Sequence, residues 1–320
     1  MPDQSVKKRE GVMAVILPSY NEELNIEKAV VGISQILEKE SISYEMIFVD
    51  DGSTDGTWRE ILTCADAYSH VKGVHFSRNF GKEAAIMAGL AQSVNACSVV
   101  MDCDLQHPPE TLVEMYRKWQ DGYDVVEGVK RSRGKENVFY HTSAMLFYKL
   151  ISKAVKIDMS RASDFKLMDR AVVKSLLQLP EKNAFFRALS SWVGYRTTQI
   201  EFDVQEREFG ESKWSIWALM RYAITNVASF STAPMQIVTI LGVMVFAVAV
   251  IMSIQTMFNY VTGRAVAGFT TVILLLLLMG SIIMISLGII GYYIAKIYEE
   301  VKGRPRYIIS ELTVSKEDEE

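Results

Sequence analysis

The sequence predicts an α/β domain built on a mostly parallel sheet, followed by a hairpin of two transmembrane helices. Three observations predict it. Short runs of β-forming residues alternate with amphipathic stretches over the first half of the 320 residues, and a polar cluster follows each of the first four runs. Charges occur throughout residues 1–221, yet none lies between Arg221 and Arg264 or between Arg264 and Lys296. A hydrophobic content of 49% is high for a soluble protein, and the excess is concentrated in those two stretches.

In order along the chain, "VMAVILP" (12–18), "YEMIFVD" (44–50), "VKGVHFS" (71–77), "CSVVMD" (97–102) and "YDVVEG" (123–128) read as strands. They are rich in Val, Ile and Phe and bounded by turn residues. Helical stretches fall near 22–39, 55–68, 81–94 and 109–120. A βαβα order implies parallel strands with helices on both faces. Ligands of such sheets bind beyond the carboxyl ends of the strands. "PSYNEE", "DDGSTDGT", "SRNFGKE" and "DCDLQHPPE" all follow strands and therefore converge on one edge.

Residues 141–157 form a basic amphipathic stretch, with Lys149, Lys153 and Lys156 on one face and Phe147, Leu150, Ile151 and Ala154 on another. That pattern suits a helix lying at lipid headgroups, or a helix packed on the sheet with solvated lysines. Residues 212–231 read as a juxtamembrane helix, with Trp214 and Trp217 where an aromatic belt is expected. The spans fall near 233–257 and 269–295, each exceeding the roughly 20 apolar residues a bilayer requires. Their loop carries Arg264, whereas Lys213, Arg221, Lys296, Lys302, Arg304 and Arg306 flank them. Basic flanks place the domain (1–211) and the tail (297–320) on the cytoplasmic side of the inner membrane. The opening residues lack a signal-peptide pattern, and the acidic "SKEDEE" is expected to be disordered and solvated. Cys64, Cys97 and Cys103 lack C-x-x-C spacing, which fits unpaired thiols in a reducing compartment. A net charge of −4 excludes a globally basic nucleic-acid binder, so no nucleic-acid partner is expected. Spans without ionisable residues argue against a transporter.

The chemistry is carried at the carboxyl edge. Asp102 and Asp104 point the same way if the chain stays extended, and two such carboxylates repel unless a cation lies between them. A hard divalent ion with oxygen ligands meets that need, and Gln106 could add a third oxygen. The plain alternative is a polar loop capping the helix that starts near Pro108. In "DDGSTDGT", Asp50, Asp51 and Asp55 could accept hydrogen bonds from a base or a ribose, or Thr54 and Asp55 could only cap the next helix. Together the two clusters suggest a nucleoside at one end and a metal-bound diphosphate at the other.

"PSYNE", "DDGSTDGT", "RNFGKEAAIMAGL", "DCDLQHPPE", "SDFKLMDR" and "EREFGESKW", in this order, resemble the inverting glycosyltransferases of family 2, which have a Rossmann-like GT-A fold. More narrowly they resemble its polyprenyl-phosphate glycosyltransferases, which include dolichol-phosphate mannose synthase and the bactoprenol glucosyltransferases of O-antigen modification. The resemblance covers about residues 12–230, and the two-span C-terminus is similar to the bactoprenol subgroup. It implies that Pro18, Tyr20, Glu22, Asp50, Asp51 and Ser53 line a nucleoside pocket with Lys82 and Asp102 nearby. It implies that Asp102, Asp104 and Gln106 hold Mg²⁺ or Mn²⁺, that Arg207 and Lys213 close over the diphosphate, and that Asp164 matches a proposed catalytic base. A phosphate acceptor is already anionic, so Asp164 could instead orient an Arg or Lys. Lys130, Arg131, Arg133 and Lys135 supply cations for the acceptor phosphate, with a solvated basic loop as the alternative.

The chain departs from the family where Lys130 replaces an Arg and where Ser163-Asp164-Phe165-Lys166 replaces G-D-F-R. Lysine keeps the charge but loses the planar grip on phosphate. No Q-x-x-R-W segment of processive synthases is found, so the expected reaction moves one sugar. The implied donor is UDP-glucose and the acceptor undecaprenyl phosphate, with GDP-mannose or another UDP-hexose or N-acetylhexosamine as the alternative. A non-catalytic sensor would be expected to lose Asp104, Arg207 or Lys213, and all are present. A flippase partner and a homo-oligomer complete the expectations, the latter from Gly280, Ser281, Gly288 and Gly291 in the second span.

Overall fold

The computed structural model describes residues 8–131, 163–179, 186–203, 233–262 and 268–313. The chain forms two compact units, Met1–Trp214 with Pro305–Glu320, and Ser215–Arg304. The expected basic helix at 141–157, the juxtamembrane helix, the tail "SKEDEE", Arg133, Lys135, Arg207 and Lys213 lie outside the described residues.

The first unit is organised by strands β1 (Met13–Ser19), β2 (Tyr44–Asp50), β3 (Val71–Phe76), β4 (Cys97–Val100), β5 (Val125–Lys130), β6 (Lys166–Asp169), β7 (Thr197–Phe202) and β8 (Ile309–Leu312). Their order in the sheet is β7-β5-β6-β4-β1-β2-β3-β8. Strands β4, β1, β2 and β3 are parallel neighbours, β6 runs antiparallel to β4 and β5, and β8 runs antiparallel to β3. Met13–Leu17 of β1 is wholly buried, as a strand covered on both faces must be. Edge strand β7 instead alternates, burying Ile200 and Phe202 between exposed neighbours.

Helices α1 (Ile26–Lys39), α2 (Thr57–Ala67), α3 (Lys82–Gln92) and α4 (Glu110–Gln120) are the crossovers, followed by α5 (Arg170–Leu177) and α6 (Phe186–Trp192). Helix α1 buries Ile26, Ala29, Val30, Ile33 and Leu37, the stripe of a helix lying on a sheet. Helix α3 is buried continuously from Ala85 to Leu90, and a Cβ on Gly89 would sit 2.3 Å from Ile16 Cγ2. That close approach seats the first turn of α3 at the carboxyl ends of β1 and β4.

Strands β6 and β8 are not apparent from periodicity, because the four-residue segments "KLMD" and "ISEL" are too short to show a pattern. The stretch expected as a tail therefore contributes an edge strand: β8 closes the open edge of β3.

The second unit contains α7 (Ala233–Val261) and α8 (Phe269–Val301), of 29 and 33 residues. Within them Val238–Asn259 and Leu278–Val301 are long and apolar enough to cross a membrane. Phe246 and Met284 are each 70% exposed, so these apolar surfaces are uncovered among the described residues.

Candidate active site

In the parallel core, the chain moves from β1 outward through β2 and β3, then returns to β4 on the other side of β1. Such a switch leaves a crevice at the carboxyl ends. A cleft of about 410 Å³ lies there, lined by Pro18 and Tyr20 after β1, Asp51 after β2, Asn79 and Lys82 after β3, and Asp102 and Asp104 after β4. Glu22 also lines it.

The loops are locked together by short-range bonds. Asn21, at φ 56°, accepts at Oδ1 from the Thr54 amide (2.9 Å) and donates its own amide to Ser53 Oγ (2.9 Å). Gly52, at φ 66°, lets the β2 loop nest on the β3 loop, since a Cβ there would sit 2.4 Å from the Arg78 carbonyl carbon. Asp51 accepts from the Phe80 amide at 2.6 Å and the Gly81 amide at 2.9 Å, fixing the loop that begins α3. Burial raises the Asp51 pKa, with the two amides pulling the other way.

Two of the expected nucleoside contacts stand behind the cleft wall. Asp50 is fully buried, its carboxylate bonded to His75 Nδ1 at 2.7 Å and to the Ser53 amide at 3.0 Å. Ser53 Oγ in turn donates to Asp50. Neither residue lines the cleft, because each completes the other's hydrogen bonding behind it. Gln106 is also outside the lining; its amide donates to Asp104 Oδ1 at 3.1 Å across Leu105, which has φ 55°. The oxygen pair facing the cleft is thus Asp102 and Asp104.

Lys82 opens α3 and bridges two acids, with Nζ 2.6 Å from Asp102 Oδ1 and 3.5 Å from Asp164 Oδ2. Burial alone would lower its pKa, but these carboxylates raise it. Asp164 is gripped bidentately by Arg187 of α6, with Nε–Oδ1 and Nη2–Oδ2 both 2.7 Å. Although burial opposes ionisation, Arg187 and Lys82 hold the Asp164 carboxyl at about 2. Glu83 beside them accepts from the Phe186 amide at 2.9 Å. Burial and the nearby Asp164 push its carboxyl up to about 7.

Lys166 stands where the family has an arginine. It is completely buried, with Nζ 2.6 Å from Glu127 Oε1, 2.7 Å from Ser190 Oγ and 3.3 Å from the Arg187 carbonyl oxygen. Of the expected acceptor cations, Lys130 is exposed at the end of β5, and Arg131 pairs along the sheet edge with Asp203 (3.0 Å) and Glu201 (3.7 Å). Arg187 has no motif in "FFRALSSW"; the one available signal was that a buried Asp164 needs a cationic partner.

Residues 14–177 match Glycosyl transferase family 2. An uncharacterized glycosyltransferase of Synechocystis sp. is 38% identical over 302 residues, covering 94% of this chain and 95% of its own length. A prophage bactoprenol glucosyl transferase homolog of Escherichia coli is 35% identical over 300 residues, covering 93% and 98%. An SfII prophage-derived bactoprenol glucosyl transferase of Shigella flexneri is 35% identical over 303 residues, covering 93% and 97%. With a GT-A-like sheet, a carboxyl-edge cleft and these relatives along nearly its whole length, the chain belongs to glycosyltransferase family 2.

Proposed function

We propose that this glycosyltransferase moves one sugar, with inversion, from a nucleotide-sugar donor to a polyprenyl phosphate at the cytoplasmic face of a bacterial inner membrane. The carrying observation is the convergence of Asp102, Asp104, Lys82 and the Asp164–Arg187 pair at one sheet edge. The names of the Escherichia coli and Shigella flexneri relatives support a bactoprenol carrier and a glucosyl group, which we take as undecaprenyl phosphate and UDP-glucose. The product would be a lipid-linked sugar for a surface glycan such as O-antigen, passed to a flippase.

The cleft fits a divalent cation. Among the described residues Glu22, Asp51, Asp102 and Asp104 line it against Lys82, so an anionic diphosphate meets an excess of carboxylates there. Mg²⁺ or Mn²⁺ held by Asp102 and Asp104 would, when bound, neutralise the departing diphosphate. Pro18 and Tyr20 would bound the nucleoside, with Asp51 ordering the loop beneath it. Lys82 would meet the negative charge that develops on the leaving group. An acceptor phosphate oxygen attacks the anomeric carbon as the bond from that carbon to the diphosphate oxygen breaks, and a single displacement inverts the centre.

The attacking oxygen needs no base. A carboxyl held at about 2 is a poor proton acceptor, so Asp164 acts by orienting Arg187 and Lys82. Arg207 and Lys213 would close over the diphosphate, and Lys130, Arg133 and Lys135 would attract the acceptor phosphate.

The same-side placement of domain and C-terminus is supported by connectivity. β8 belongs to the sheet of the first unit, and two successive spans return a chain to the side it left. The basic stretch 141–157 would lie at the headgroups. Small residues Gly280, Gly288 and Gly291, where an added Cβ meets no atom within 4 Å among the described residues, leave room for helix packing in a homo-oligomer.

The test incubates purified protein with undecaprenyl phosphate, Mn²⁺ or Mg²⁺ and radiolabelled UDP- and GDP-sugars, and counts label in the organic phase with and without EDTA. Metal-dependent labelling by UDP-glucose is expected. Transfer from GDP-mannose would reassign the donor, and undiminished transfer in EDTA would remove the metal.

A further inference from the structure

The chain that follows α8 does more than close a sheet edge. β8 is tied to β3 and α2 by side chains as well as backbone. Trp58 Nε1 donates to Glu311 Oε2 at 2.9 Å, Ser310 Oγ donates to the His75 carbonyl at 3.1 Å, and the Gly73 amide donates to Thr313 Oγ1 at 2.9 Å. Just ahead of β8, the Tyr307 ring stacks on Phe76 at 5.1 Å and 10°, and the Ser77 amide donates to the Ile308 carbonyl at 3.1 Å.

These contacts fall where β3 ends and the cleft loop departs. Phe76 meets Phe80 edge-on at 5.7 Å, and Arg78 lies 4.1 Å over the Phe80 ring. The Phe80 and Gly81 amides are the donors to Asp51, and Asn79, Gly81 and Lys82 line the cleft. Three successive contacts, Tyr307 to Phe76, Phe76 to Phe80 and Phe80 to Asp51, therefore run from the post-span chain to the cleft wall. Beside Tyr307, Arg306 Nη2 donates to the Leu179 carbonyl at 2.8 Å, just beyond the end of α5.

We infer that the segment 305–313 is a positioning element of the donor cleft, and that Tyr307 is the residue through which it sets the loop 77–82 and hence Lys82. The inference rests on the proposed function, in which that cleft holds the nucleotide diphosphate. Tyr307 does not line the cleft, so it acts through Phe76 and Phe80. The chain after the second apolar helix thereby supports the donor site from behind its wall.

The experiment uses the full chain in detergent with Tyr307→Ala, Tyr307→Leu and Tyr307→Phe. Leucine keeps apolar volume without the stacked ring, so it carries the test where alanine fails to fold. Amide exchange is followed at Phe80 and Gly81, with UDP and Mn²⁺ binding and the separate KM values for donor and lipid acceptor.

The alanine and leucine variants are expected to expose the Phe80 and Gly81 amides to faster exchange while β1 and β2 stay protected. They should weaken UDP binding and raise the donor KM roughly tenfold, as expected for a displaced positioning group, with the acceptor KM unchanged. Phenylalanine should restore both. Unchanged exchange at Phe80 and Gly81, or an equal rise in both KM values, or failure of phenylalanine to rescue, overturns the inference. If the unaltered chain binds no UDP, the functional reading fails, and the exchange rates alone then decide whether Tyr307 orders the loop.

Discussion

Replacing Lys166 with methionine separates a structural cation from a phosphate ligand. Lys166 Nζ is 2.6 Å from Glu127 Oε1, and both side chains are buried. With the ammonium gone, Glu127 keeps Gln199 Nε2 at 3.2 Å among the described residues, and Ser190 Oγ and the Arg187 carbonyl lose a donor. Breaking one side of a buried pair costs about 3–5 kcal/mol, because the remaining charge stays desolvated. In a domain of this size each kcal/mol lowers Tm by roughly 2–4 °C, so a fall on the order of 10 °C is expected. Thermal melts in detergent at one scan rate, followed by intrinsic fluorescence, read it. Lys166→Met with Glu127→Gln removes both charges and should recover much of the loss. Because Arg187 is held at its carbonyl by Lys166, kcat should fall in the single variant while the acceptor KM changes little. A Tm within about 2 °C of the unaltered protein, together with a selectively raised acceptor KM, would refute the reasoning and return Lys166 to the phosphate.

Asp104→Ala should remove nearly all turnover and the Mn²⁺ dependence of UDP binding while leaving the fold intact; full EDTA-resistant activity would sink the metal assignment. Glu83 has its carboxyl raised to about 7, so the stability tied to its neutral form is complete below the ordinary carboxylate range and declines as pH rises through 7. Glu83→Gln keeps an acceptor for the Phe186 amide and should therefore raise Tm at pH 8, worth on the order of 3 kcal/mol, with little gain at pH 5; equal shifts at both would contradict it. Asp164, lowered to about 2, contributes stability above the ordinary carboxylate range that is lost only as pH falls through 2, so it should give no limb to the kcat/KM profile between pH 5 and 9. Asp164→Asn should cut kcat by at least about a hundredfold through loss of the Arg187 clamp, roughly 3 kcal/mol of transition-state stabilisation; a variant with unchanged kcat would dismiss the clamp.

Local periodicity and ordered motifs determined the first four strands, their crossovers, the two apolar helices and the convergence of polar loops on one edge. Those features are written in contiguous residues: β1 is an unbroken apolar run because both its faces are covered, and Asp102 and Asp104 follow a strand whose end fixes where they point. Family membership was legible for the same reason, since it rests on short motifs in order. Which motif residues face the cleft was decided only in three dimensions. Asp50 and Asp51 are adjacent, yet Asp51 lines the cleft whereas Asp50 is buried against His75, which lies 25 residues away.

Likewise Asp164 and Lys166 belong to one motif, yet Asp164, ahead of β6, meets Lys82 and Arg187, whereas Lys166, within β6, meets Glu127. Arg187 and β8 had no signature, because their meaning depends on partners distant in sequence: Asp164 for the one, and the open edge of β3 for the other. A lone arginine acquires a role when a buried carboxylate needs its charge, and a four-residue segment becomes a strand when an edge supplies its hydrogen bonds. The sequence alone thus fixed the chemistry on offer and the edge where it gathers; the long-range pairing of buried charges and strand edges decided which side chains present it.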